Sequence, residues 1–246
     1  MIWFLVLFYV MVTLIAYLLY TAELLTKNNR KDLSKKNVCL LIAHPDDECM
    51  FFGPILRRLR GLNNNMFVLC MTNGNFYGKG VERESELEAS CFNLLGEHSL
   101  KLINEPSLPD DPKIEWNSQI CLRLIDDYLS ENKIDLLVTF DQMGVSSHSN
   151  HCFLNKIVRK LNQKPEMYFL KTVFLTRKYS FIFDLLPSLA YDYFLRENLI
   201  AISSLNDYLL TLKSMMKHKT QLLWFRWIYI FTSSYMVINI LEKYTD

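Results

Sequence analysis

Five short apolar runs, at residues 38–43, 66–72, 100–103, 134–140 and 168–175, alternate with stretches whose apolar side chains recur at helical spacing. The helical stretches are 53–62, 82–95, 114–131 and 150–161, and Ile120, Leu124 and Tyr128 show the period. Such strand–helix alternation implies parallel strands, right-handed crossovers and helices on both faces of one sheet. The expected fold is α/β, with a Rossmann-like, mostly parallel sheet.

In sheets of this kind ligands bind beyond the carboxyl ends of the strands, where loops are free to present side chains. The polar clusters fall there. Ala43-His44-Pro45-Asp46-Asp47-Glu48 follows the first run, Thr72-Asn73-Gly74-Asn75 the second, and a segment from Asp141 through His148 to His151 the fourth. Three segments distant in sequence would therefore meet at one edge. The stretch Pro106-Ser107-Leu108-Pro109-Asp110-Asp111-Pro112 reads as a surface loop.

Adjacent carboxylates repel, and a buried pair keeps a proton or recruits a cation. A catalytic zinc takes three protein ligands and leaves one position open for water. His44, one of Asp46 and Asp47, and a histidine from the Ser146-Ser147-His148-Ser149-Asn150-His151 segment supply three. The carboxylate and histidine left over would stand beside the metal, as the base and charge stabiliser that amide hydrolysis needs. His148 and His151, three apart at a helix start, share a face. Alone, an Asp-Asp pair is usually a solvated turn and an HxxH two surface histidines; together, each after a buried strand, they form a complete ligand pool.

The N-terminus carries a different constraint, because no charged side chain occurs from Met1 to Ala22. As a helix this stretch would span roughly 33 Å, enough for a hydrocarbon core of about 30 Å. It lacks the basic start and small-residue cleavage site of a signal peptide. The expectation is an uncleaved transmembrane anchor at 1–24, a basic linker at 25–37 and a catalytic body at 38–246. Lys27, Arg30, Lys31, Lys35 and Lys36 against the single acid Asp32 place the body in the cytosol by the positive-inside rule. A formal net charge of +1 excludes a polybasic nucleic-acid binder. The six cysteines form no CxxC pair and read as reduced thiols.

The pair of motifs Ala43-His44-Pro45-Asp46-Asp47-Glu48 and Gly144-Val145-Ser146-Ser147-His148-Ser149-Asn150-His151 resembles the signature of the LmbE-like deacetylases, and within them the PIG-L branch. The likeness runs from about residue 38 to 241. It implies zinc-dependent removal of acetate from N-acetylglucosaminylphosphatidylinositol, the second step of GPI-anchor synthesis, at the endoplasmic reticulum membrane. It implies further that His44, Asp47 and His151 bind zinc, that Asp46 is the general base, and that His148 is the general acid or oxyanion stabiliser. Arg83 and Glu86 match a family arginine and glutamate, with Arg83 a candidate for a phosphate or sugar hydroxyl. Asp141 is expected to orient His148 or hold it protonated. Glu48 is expected to cap the following helix or support a ligand. Ser147 stands where related sequences often have glycine, which restricts the backbone before His148.

The aromatic segment 221–231, followed by 233–239, contains Arg226, too costly for a second span, and is expected to be an interfacial or core helix-and-strand segment. Iron(II) also accepts a two-histidine, one-carboxylate set. The sequence names no protein partner. Two rival readings share the motifs: a deacetylase of another N-acetylglucosaminyl conjugate, and a membrane-tethered scaffold without metal or activity.

Overall fold

The computed structural model describes residues 2–26, 33–111, 113–162, 164–195 and 198–245. Lys27, Arg30, Lys31 and Asp32 of the expected basic linker lie outside them. The sheet has seven strands: β1 (Asn37–Ile42), β2 (Asn65–Cys70), β3 (Ser99–Leu102), β4 (Leu136–Phe140), β5 (Glu166–Leu170), β6 (Asn198–Ile202) and β7 (Ile238–Lys243), in the order β3-β2-β1-β4-β5-β7-β6. The first five are parallel, while β7 pairs antiparallel with β5 and with β6. The sheet is thus mixed: β6 lies outside the five apolar runs, and the strand expected at the end of the chain, β7, carries no sign in the sequence of its antiparallel pairing.

Helices α1 (Ile2–Thr26), α2 (Asp47–Met50), α3 (Gly53–Gly61), α4 (Gly80–Leu95), α5 (Ser118–Glu131) and α6 (Gly144–Ser147) are followed by α7 (Ser149–Val158), α8 (Leu175–Lys178), α9 (Leu185–Leu195), α10 (Leu205–Met215) and α11 (Trp224–Thr232). The sequence period would start α5 at Ile114. The structure starts it later because the Asn117 side chain accepts from the amides of Gln119 and Ile120 and so caps it. The last segment is indeed helix then strand, α11 followed by a 3-10 turn and β7.

The core is the sheet itself: Val38, Leu40, Leu41, Ile42, Val68 and Val138 have no exposed surface. Strand order reverses direction between β1 and β4, so the crevice between their carboxyl ends is the topological switch point. Two buried asparagines fix the loops there. Asn155 in α7 donates to the carbonyl of Phe140 at 2.9 Å, and Asn239 in β7 donates to Phe51 and accepts from Ile55.

Helix α1 does not stand apart from the body. Thr13 is fully buried, the Tyr9 hydroxyl donates to the carbonyl of Phe183 at 2.7 Å, and that of Tyr17 to Ser203 at 2.9 Å. The other side of the helix is bare, with Trp3 80% and Phe4 72% exposed. Among the described residues no helix is long and apolar enough to cross a membrane; α1 runs 25 residues, with its side chains described from residue 3 to 19.

Candidate active site

The chain leaves β1 through Ala43 and turns sharply. Asp47 makes the turn: one carboxylate oxygen accepts from the amides of Ala43 at 3.1 Å and His44 at 2.9 Å. Asp46 sits at φ 106°, a left-handed conformation that costs a side chain with a Cβ about 1–3 kcal/mol. Strain here is held by the surroundings, since the Asp46 amide donates to Glu48 at 3.1 Å.

From β4 the chain enters a second strained loop. Gly144 has φ 55°, and a Cβ there would lie 2.6 Å from the Cβ of His151, so only glycine lets the loop close over that histidine. Val145 and Ser147 also have positive φ, of 64° and 57°. Ser147 therefore occupies a backbone state natural to glycine, the residue that related sequences often have there.

The two loops bring three donors together. His44 Nδ1 lies 3.6 Å from Asp47 Oδ2, His151 Nε2 lies 3.2 Å from Asp47 Oδ1, and the two ring nitrogens are 3.4 Å apart. A tetrahedral ion with bonds of about 2.0–2.1 Å sets its ligands about 3.4 Å apart. The outer nitrogens reinforce the fit. His44 Nε2 meets Asp110 Oδ1 and the Asn150 side-chain amide, both at 3.1 Å, and His151 Nδ1 meets the carbonyl of Gly144 at 3.1 Å, so each outer nitrogen has an acceptor for a proton and each inner one is placed to turn a lone pair to the common point once a metal displaces its proton. The ring of His151 also stacks on Phe140, centroids 3.9 Å apart. His44, His148 and His151 form an alternative set, within 4.8 Å of one another. The Asp47 set has the closer spacing and the two oriented imidazoles. These residues fit a small divalent metal such as zinc.

The charges are interdependent. Burial raises Asp47, but the imidazoles of His151 and His44 outweigh it and hold the carboxyl well below its ordinary value. Burial, opposed by Arg226 and assisted by the charge of Asp47, leaves Asp46 raised. Burial would lower His44, yet Asp110 and Asp47 push it up to about 9. His148 is lowered to about 4 by burial and by the neighbouring His44 and His151. Its Nδ1 accepts the amide of Asn150 at 3.3 Å, which caps α7 and leaves Nε2 as the donor.

Asp46, Asp47, His44, His148, His151 and Arg83 line one cavity of about 320 Å³. Arg83 donates to the carbonyls of Gly74 at 2.8 Å and Pro45 at 2.7 Å, joining the first and second loops. Glu86 faces away from the cavity and binds Thr220 and Gln221. Asp141 departs from expectation. Its carboxylate accepts from the amides of Met143, Gly144 and Thr172 and from the Thr172 hydroxyl, and among its described hydrogen bonds none reaches His148. It shapes the loop instead.

Glu48 accepts the amide of Asp46, the residue that opens α2, as a capping acid does, and it has further partners. It is fully buried, accepts from the Ser90 hydroxyl, and pairs with His218 Nε2 at 2.7 Å. Glu48, Cys49 and His218 are close enough to hold an ion. The direct Glu48–His218 bond, and a Cys49 thiol pushed well above its ordinary value by burial and Glu48, make this an ion pair rather than a metal site.

Among the residues lining the cavity, two charged ones were missed. Asp110 lies in the proline-bracketed segment read as a surface loop; the signal that could have found it is that a metal-binding histidine requires an acceptor for its second nitrogen. Arg226 reaches from α11 to Asp46 Oδ2 at 3.1 Å and to Met50. A lone cation within an aromatic helix was its signal, because such a charge needs a partner.

Residues 39–162 match the family signature described as GlcNAc-PI de-N-acetylase, PIG-L. An N-acetylglucosaminyl-phosphatidylinositol de-N-acetylase from Bos taurus is 37% identical over 211 residues, 82% of this chain and 81% of its own. A probable enzyme of the same name from Schizosaccharomyces pombe is 32% identical, covering 96% of this chain and 97% of its own. In fold, the chain is similar to the N,N'-diacetylchitobiose deacetylase from Pyrococcus horikoshii, with a TM-score of 0.60 at 16% identity over 83% of this chain and 77% of that one. With its two motif loops meeting at the switch point of the sheet, the chain belongs to the PIG-L, or GlcNAc-PI de-N-acetylase, family.

Proposed function

We propose that the chain is a metal-dependent amidohydrolase that converts N-acetylglucosaminylphosphatidylinositol to glucosaminylphosphatidylinositol and acetate. The observation that carries this is the convergence of His44, Asp47 and His151 at ligand spacing, with Asp46 beside them and free of them. His44, Asp47 and His151 would hold the metal, zinc by their chemistry, with iron(II) compatible. When bound, it would polarise the acetamide carbonyl and favour ionisation of water.

Asp46 takes the proton of the attacking water. Its burial, which raises it, makes it a better base than an exposed carboxylate, and the charges of Arg226 and Arg83 oppose that rise. His148, with Nε2 as donor, suits a developing oxyanion more than it suits a proton donor to the leaving amine. The proton on Asp46 is then available for that amine. Arg83 has an unpartnered Nε and lies 3.7 Å from Asp110, a pairing able to bind sugar hydroxyls. Glu48 supports Asp46 through its amide.

The exposed face of α1 and the charge-free stretch that forms it support membrane association through 1–24, with α1 held against the body and the body on the cytosolic side of the endoplasmic reticulum membrane. Tethering raises the effective concentration of a lipid substrate diffusing in the same plane.

The test is acetate release from synthetic N-acetylglucosaminylphosphatidylinositol by the purified full-length chain, before and after chelation and zinc restoration. Asp46→Asn is expected to keep its zinc and lose about 10²–10⁴-fold in turnover. An unchanged rate in that variant would remove Asp46 as the base. Faster deacetylation of a soluble N-acetylglucosaminyl glycoside than of the lipid would move the substrate to the soluble class.

A further inference from the structure

Helix α11 has two unlike faces. Tyr229 and Ile230 are buried, with the Tyr229 hydroxyl donating to the carbonyl of Met50 at 2.8 Å, and Arg226 enters the catalytic cavity. Trp224, Ile228 and Phe231 face outward, 75%, 54% and 56% exposed. At the start of α8, whose Lys178 and following Tyr179 pack against Tyr229 of α11, Phe174 and Leu175 are 82% and 71% exposed. A soluble surface does not gather so many large apolar side chains at one spot without a partner.

Contacts join this patch to α1. The ring of Tyr179, just after α8, lies 6.4 Å from that of Tyr229 in α11. Four residues on, Phe183 packs its ring 6.3 Å from Tyr9 and accepts that residue's hydroxyl on its carbonyl. Tyr9 is in the middle of the charge-free stretch. Wherever α1 goes, the face that bears Phe183 follows, and α8 and α11 with it. At the cavity end of the same face stand two cations, Arg226 and Lys178; Lys178 lies 6.0 Å over the Tyr229 ring and is lowered by burial and by Arg226. Aromatic side chains around cations match the headgroup level of a bilayer.

We propose that α8, the 3-10 turn Phe181–Asp184 and α11 form a docking face for a phospholipid bilayer, which seats the cavity mouth at the headgroups. This rests on the lipid-substrate reading above. The body would then lie on the membrane beside α1, rather than hang from it on a free tether, and a lipid headgroup could reach Asp46 by moving along α11 without leaving the bilayer.

The test uses the full-length chain in phosphatidylcholine–phosphatidylserine vesicles, in a Trp3→Phe background, with brominated acyl chains as a quencher. Quenching of Trp224 and Trp227 is expected, and should vanish in the Trp224→Phe/Trp227→Phe variant; Trp116 is buried and serves as the unquenched reference. A Trp224→Ser/Ile228→Ser/Phe231→Ser variant is expected to lose roughly tenfold in rate on vesicle-borne substrate, while keeping the parental rate on a short-chain, water-soluble analogue. Unquenched Trp224 and Trp227 would overturn the proposal, and self-association abolished by the triple substitution would assign the face to a second copy. If the parent chain deacetylates neither substrate, the enzymatic reading fails, and quenching still decides the docking face.

Discussion

Asp46 depends on a carboxylate that never enters the cavity. Its left-handed backbone is clamped by Glu48, and Glu48 is held in turn by Ser90 and by His218 from the turn after α10. Burial raises the Glu48 carboxyl, but His218 more than offsets it, so the group ends below its ordinary 4.5. Burial lowers His218, but Glu48 more than offsets that, so the imidazole ends above its ordinary 6.5. The signs define a window. Stability from Glu48 is present above 4.5 and lost as pH falls through its lowered folded value; stability from His218 is present below 6.5 and lost as pH rises through its raised folded value. The excess thermal stability of the parent over a Glu48→Gln/His218→Gln variant is therefore expected to be greatest between pH 4.5 and 6.5 and to shrink as pH rises above 6.5 through the raised value of His218. A difference that stays flat across that range would mean the pair contributes only its packing. In the sequence Glu48 looked like one more acid of a crowded motif. Its role required His218, 170 residues away, which no local pattern ties to it.

At the scale of elements, the site is made by two loops that leave parallel strands, and each relies on one residue with an uncommon backbone. Gly144 is the sharper case. Substitution by alanine adds strain at φ 55° and drives a Cβ against the Cβ of His151. Gly144→Ala is expected to weaken zinc binding at least tenfold and to cost about 1–3 kcal/mol of stability, read from metal content after dialysis and from the melting temperature. Zinc retained at parental affinity would show that the loop can shift without moving His151. What sequence made legible follows from the same physics. Strands β1, β2 and β4 are central and buried, so they read as continuous apolar runs, and the polar residues after β1 and β4 stood out as ligands. Strands β6 and β7 are five and six residues long and flank α10 and α11, where apolar residues serve helix, strand and surface alike. There the period decides nothing.

For the whole molecule, the same arrangement makes metal a structural link. His44 and Asp47 belong to the loop after β1, whereas His151 belongs to α7, packed on β4 through Asn155. Without an ion, Asp46 and Asp47 crowd one carboxylate beside another, and His44 faces His151 at 3.4 Å with only Asp47 between them. An ion binding the folded chain alone stabilises it by about 2.7 kcal/mol at a free concentration of 100 times its dissociation constant. For a chain of this length each kcal/mol moves the melting temperature by about 2–4 °C. Chelation is thus expected to lower the melting temperature by about 5–11 °C, and zinc to restore it. His151→Ala, which removes a ligand from α7, should melt at one temperature with or without chelator, while Asp46→Asn should respond as the parent does. That contrast separates holding the metal from using it: the shift tracks the three ligands, and turnover tracks Asp46. If chelation moved neither the parent nor Asp46→Asn, the His44, Asp47 and His151 cluster would be a hydrogen-bonded element of the fold, and the amidohydrolase would need its charge stabilisation from Arg83, Arg226 and His148 alone.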